Sequence, residues 1–222
     1  GVPKRMEMEG VMVEAPVFKS MPGGRSPRWV ARQLQRSARR IAREWKDWTP
    51  DIIHSHTILP SCHLAVEYAR IFDVPVIGTV HGWDFDVGLN VHRNTMKLLL
   101  SQLDGLITVN ETHIGIAERE GFNGEIGLIP CPPSIESDPD PEHVINIEER
   151  RVKILFPSSV KRPEKDYPLF KSVIAELENR GWGVEAMSLG ECTKKEVENR
   201  MLASDLVLIT SKRETGPLVA KE

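Results

Sequence analysis

Two carboxylates stand eight residues apart near the end of the chain, Glu214 and Glu222 in ETGPLVAKE. Two cations stand three apart in SSVKRPEK, Arg162 and Lys165. Nearer the start, His54 and His56 alternate in HSH, and His81 and Asp84 belong to HGWDFD. Carboxylates accept hydrogen bonds from hydroxyl groups, whereas guanidinium and ammonium groups grip phosphate. Between the two glutamates, Gly216 permits a tight turn and Pro217 suits the first position of a helix. A helix starting there would offer free amides, with Leu218 and Val219 as donors to a phosphate oxygen. Hydroxyl-seeking carboxylates around a phosphate-seeking helix end suggest a ligand that carries both groups, a nucleotide sugar. A lone glutamate would more simply complement a helix dipole, and RPEK alone is a common surface loop. Their placement in the fold therefore decides what they mean.

The positioning elements alternate along the chain. Apolar runs predict strands at 11–18, 51–56, 75–80, 105–110, 125–130, 152–157, 182–189 and 205–210. Helical patterns lie between them at 26–48, 61–72, 91–102, 111–120, 165–180 and 193–203. Near-continuous apolar strands separated by helices imply parallel sheets covered on both faces. The strands are too few for a closed eight-stranded barrel. The expected fold is α/β with two Rossmann-like lobes, both incomplete: residues 1–130, then a linker at 131–150 with four prolines, then 151–222. In open α/β sheets ligands bind beyond the carboxyl ends of the strands. All four constellations fall at that address.

Composition narrows the partners. With 29 basic and 32 acidic residues the formal charge is −3, so no global nucleic-acid footprint exists. Residues 19–46 nevertheless carry nine Lys or Arg against one Glu, a net +8. Arg28, Arg32, Arg36, Arg39, Arg40 and Arg43 decorate helix 26–48, which also holds Trp29 and Trp45 and ends at Trp48. Such a helix suits an anionic membrane surface or an acidic acceptor, and equally a solvated face. Three cysteines without CxxC spacing read as free thiols of a reducing compartment. No apolar run approaches the ~20 residues needed to span a bilayer. The expected location is cytoplasmic, with peripheral membrane contact through helix 26–48. The chain starts on Gly and stops inside an apparent helix start, as a piece of a longer protein would.

These motifs together resemble the retaining glycosyltransferases of the GT-B fold, family 4. The carrying motif is Glu-x7-Glu, Glu214 to Glu222, after the strand-like SDLVLITS. FPSSVKRPEKDYPLF is similar to the family's strand followed by Arg and then Lys, and PDIIHSHTILP with PVIGTVHGWD to its first-lobe pattern ending in H-G-x-D. The resemblance implies that Arg162 and Lys165 hold the donor diphosphate and that Glu222 accepts from the ribose. It places Glu214 near the donor sugar, His81 at the reacting sugar, and Asp84 with Gly216 and Leu218 among the substrate-binding residues. It implies a nucleoside-diphosphate sugar donor, a sugar or lipid-linked acceptor, retention of configuration, and neither cofactor nor metal. The family's glycine after the first-lobe proline is replaced around Ser61-Cys62-His63, and its Asn-Gly after Pro130 by Cys131-Pro132.

Three alternatives accompany this reading. A metal-dependent hydrolase would draw ligands from His54, His56, His63, His81, Asp84 and Asp86. A sugar-nucleotide epimerase of the same fold would share the donor but not the acceptor. A non-catalytic sugar-nucleotide-binding module would keep the pockets alone. Asp84-Phe85-Asp86 matches DxD, but so does Asp138-Pro139-Asp140 in the linker, and the match is taken as chance.

Overall fold

In the computed structural model, residues 5–19, 27–45, 48–132, 147–212 and 214 are described. The chain divides into two compact units, Gly1–Pro130 and Cys131–Glu222.

The first unit is built on four parallel strands, β3 (Ile53–His56), β4 (Val76–Val80), β5 (Gly105–Thr108) and β6 (Glu125–Leu128), paired in that order. The first three are each followed by a chain reversal through a helix: α2 (Cys62–Phe72), α3 (Leu89–Leu100) and α4 (Glu111–Arg119). Such crossovers are what parallel pairing requires. The core gathers the inward faces of these elements, with Ile58, Val80, Met96 and Ala117 fully buried. Ahead of the sheet, α1 (Pro27–Glu44) packs its apolar stripe of Leu34, Ala38 and Ile41 toward α2, where Ala38 and Ile41 meet Tyr68. Trp45 lies past the helix end and stacks on Tyr68 at 5.4 Å, so it is a packing residue.

Two local structures differ from the sequence expectation. The first strand, expected at 11–18 among the parallel ones, is β2 (Val11–Glu14), and it pairs antiparallel with β1 (Arg5–Met8). The turn between them has Glu9 at φ 50° and Gly10 at φ 79°. Positive φ at both central positions is the hairpin geometry whose twist matches that of flanking strands. HGWDFD, between the expected strand 75–80 and the expected helix 91–102, continues into a wide helical turn at Asp84–Gly88 that leads directly into α3.

The second unit has three parallel strands in the order β8 (Gly183–Ser188), β7 (Arg151–Phe156), β9 (Leu206–Val207). Helices α5 (Tyr167–Asn179) and α6 (Lys194–Leu202) connect them. Ile154, Phe156, Phe170 and Ile174 form the buried cluster between β7 and α5. A capping box closes α6: Thr193 accepts from the Glu196 amide, and the Glu196 carboxylate accepts from Thr193. With β7 central, the loops after β7 and β9 emerge side by side, and they carry Arg162 with Lys165 and Glu214.

Candidate functional site

Each unit carries its own polar cluster at the carboxyl ends of its strands. In the first, β3 and β4 are neighbours with His56 opposite Thr79 in register. Residues 54 and 56 point to one face, which brings their rings to 4.3 Å, and His81 just past β4 stands 6.3 Å from His56. His54 Nε2 is 2.7 Å from the Thr79 hydroxyl. Burial, with the neighbouring His56, holds the His54 pKa below its ordinary value.

Asp84, expected among the substrate-binding residues, is 1% exposed. Its carboxylate accepts from the backbone amides of Ile58 at 2.9 Å and His81 at 3.0 Å. It therefore ties the loop after β3 to the loop after β4 and fixes the backbone that carries His81. Burial pushes its pKa up, and the amides of His81, Ile58 and Leu59 pull against that. The loop after β3 is otherwise self-bonded: Ser55 donates to the Thr57 carbonyl at 2.8 Å, and the hydroxyls of Thr57 and Ser61 lie 2.6 Å apart. Thr57 has φ 90°, a conformation that β-branched residues rarely adopt and that surrounding bonds must hold. Asn110 caps α4 by accepting from the His113 amide at 3.0 Å. The fully buried His113 ring packs edge-on against Phe85 at 5.3 Å, and burial lowers its pKa.

In the second unit Lys165 Nζ pairs with Glu214 Oε1 at 2.5 Å, with side-chain exposures of 20% and 21%. They border a recess of only about 10 Å³ with Phe156, Ser158 and Thr210. Arg162 also has a carboxylate partner, Glu164 at 2.7 Å, on a one-turn helix at Pro163–Lys165. Its own amide first, then Arg162, holds the Glu164 carboxyl below its usual value. Both cations expected to grip a diphosphate are thus ion-paired, and the carboxylate on Lys165 is the one expected near the donor sugar. Glu222, Gly216 and Leu218 lie outside the described residues.

One positioning residue escaped the sequence reading. Thr210, 8% exposed just beyond β9, donates to the carbonyls of Lys165 at 2.8 Å and Asp166 at 3.1 Å. It fastens the Lys165 loop to the β9 end. Its only signal is a threonine closing the apolar run DLVLIT, which is too common to single out.

The hydrolase alternative lacks a ligand set: among the described residues no three His, Cys, Asp or Glu side chains converge as a metal-binding group. His63 lies on α2, and Asp84 is occupied by amides. Among the described residues no helix is long and apolar enough to cross a membrane. The described part of helix 26–48, α1, does not present a uniform charged face. Arg39 pairs with the buried Glu67 at 2.6 Å, and Arg40 with Glu44 at 2.9 Å.

The family model of Glycosyltransferase Family 4 matches residues 2–137, more than half of the chain. The chain belongs to that family. Its fold is of the GT-B type, similar to the crystal structure of HepE from Anabaena in complex with UDP and glucose, with a TM-score of 0.55 at 13% identity. That match covers 89% of this chain and 61% of HepE, so the chain spans about three-fifths of its length. A Listeria monocytogenes structure described as a UDP-N-acetylglucosamine 2-epimerase gives a TM-score of 0.48 at 12% identity, covering 87% of this chain and 53% of that one. The UDP complex of MnaA from S. aureus gives 0.44 at 11% identity, covering 83% and 53%. No curated protein sequence matches the chain significantly.

Proposed function

We propose that this chain belongs to a glycosyltransferase that moves a hexose from a nucleoside-diphosphate sugar to an acceptor hydroxyl, with retention and without a resident metal. The observation that supports it is the Lys165–Glu214 pair at the carboxyl ends of β7 and β9. A diphosphate carries more charge than one carboxylate and displaces Glu214 from Lys165, with Arg162 as the second cation. The freed Glu214 then accepts from hydroxyls of the donor sugar. In the reaction the bond from the anomeric carbon to the diphosphate oxygen breaks, the acceptor oxygen bonds to that carbon, and the acceptor's proton passes to the departing diphosphate. Arg162, Lys165 and the amides after Gly216, with Leu218 among them, stabilise the departing charge electrostatically. Glu222 accepts from the ribose.

On the first unit His81 serves the reacting sugar, and Asp84 acts through the backbone that holds it. The acceptor is a sugar or a lipid-linked sugar. HepE is known with UDP and glucose, which makes UDP-glucose the first donor to try.

The test is release of nucleoside diphosphate from a panel of nucleotide sugars by the full-length protein, in EDTA, with the anomer of the released or transferred sugar followed by NMR. Turnover of one donor in EDTA with the donor's anomeric configuration retained is the expected result. Turnover only after a divalent metal is added, or an inverted product, would overturn the corresponding part of the reading.

A further inference from the structure

On the first unit a cleft of about 490 Å³ opens among three helices, lined by Arg28, Arg32 and Gln35 of α1, His63 of α2, Asn94 of α3 and Gln102 in the turn after α3. Its lining includes none of the histidines at the β3 and β4 ends. No carboxylate lines it among the described residues. Arg28 and Arg32 stand one helical turn apart on α1, where like charges repel. Neither meets a carboxylate within ion-pairing distance among the described residues, whereas Arg39, Arg40, Arg70 and Arg93 all do. Among the described residues the arginines of α1 that border the cleft are thus without an ion pair, as are Arg36 and Arg43 further along the helix.

His63 supplies the second observation. It is 9% exposed, lines the cleft, and its Nε2 is buried without a hydrogen-bond partner among the described residues. A buried ring nitrogen without a partner is costly, and native structures keep such groups for a reason. Burial lowers the His63 pKa, so the ring favours its neutral form, which can donate one N–H to an anion or accept from a phosphate hydroxyl. Around these groups the walls are apolar, with Val66 and Leu99 between the polar side chains.

We propose that this cleft is a second ligand site, specific for a phosphate group carried on an apolar body, with Arg28 and Arg32 gripping the phosphate oxygens and His63 completing the contact. Two arginines with no competing acid select for a doubly charged oxyanion, and their mutual repulsion is relieved when it binds. The apolar walls favour an alkyl or isoprenoid phosphate over free phosphate. This inference does not depend on the reading of the Lys165–Glu214 pair, and either can fail alone.

The test follows the His63 ring nitrogens by long-range proton–nitrogen NMR on the full chain, assigned by the signal lost in His63→Gln. Three probes are titrated: inorganic phosphate, hexyl phosphate, and vesicles of neutral lipid with phosphatidic acid. The expected result is a saturable shift of His63 with hexyl phosphate, stronger than with inorganic phosphate. It should weaken by at least about tenfold in the Arg28→Gln/Arg32→Gln double variant. Because both arginines are exposed, that variant should keep its fold, and circular dichroism checks it. A response confined to phosphatidic acid vesicles would also support the site and would identify a lipid headgroup as the source. An unmoved His63 with all three probes, or an unchanged titration in the double variant, would overturn the proposal.

Discussion

Lys165 and Glu214 are 49 residues apart in the chain and form an ion pair of 2.5 Å. The pairing follows from strand order: β9 lies beside β7, so the loop after one strand meets the loop after the other. It makes the second unit's cation a competed one. Any anion that takes Lys165 must first displace Glu214.

Glu214→Gln should therefore tighten binding of a nucleoside diphosphate while impairing transfer. The expected gain is about fivefold, which corresponds to about 1 kcal/mol of competing ion pairing. Isothermal titration with UDP checks it. Weaker binding in Glu214→Gln would mean that the carboxylate helps to hold the nucleotide instead of competing for its cation.

Asp84→Ala should destabilise the first unit by about 1–3 kcal/mol, because the amides of Ile58 and His81 lose their acceptor in a buried place. Urea denaturation reads the loss. A variant as stable as the parent would show that these amides find water, and would remove Asp84 from the frame that holds His81.

Acid should weaken the first unit before it affects most carboxylates. Burial holds His54, His63 and His113 below the ordinary value of 6.5, so the unfolded chain binds more protons than the folded one. Stability from this source is fully present above 6.5 and falls as pH drops from there toward the lowered folded values. Denaturation midpoints should fall between pH 7.5 and 5.5, and the fall should shrink in His54→Gln/His63→Gln. An equal slope in that variant would assign the acid response elsewhere.

The arginines of α1 should not be equivalent. Glu67 is 3% exposed and is held by Arg39 at 2.6 Å and Arg70 at 3.4 Å. Arg39→Ala should cost about 1–3 kcal/mol, less than for a fully buried pair because the guanidinium is 56% exposed. Arg36→Ala should stay within about 0.5 kcal/mol. Equal effects would show that the helix charge acts as a general field and not through Glu67.

The alternation of strands and helices was legible because apolar runs and helical periodicity are local properties. The element bounds differ from expectation by a few residues at most, apart from the hairpin and the turn after His81. The hairpin was missed because RMEM, although it alternates, is only four residues long, and its partner strand resembled the start of a parallel sheet. Asp84 was legible as a position but not as a structural acceptor, since HGWD gives no sign that two backbone amides converge there. The contact between Lys165 and Glu214 depends on which strands are neighbours, and no run of residues encodes that. Thr210 was hidden for the same reason, because its partners lie 45 and 44 residues away.

The most direct test of the central claim is thermal unfolding of the full chain with UDP, GDP or ADP, each with EDTA, repeated on Arg162→Ala/Lys165→Ala. A nucleotide at 100 times its dissociation constant stabilises by about 2.7 kcal/mol. The account predicts an upward shift with one of the three that EDTA does not reduce and that the double variant loses. No shift with any nucleoside diphosphate, or an equal shift in the double variant, would contradict it.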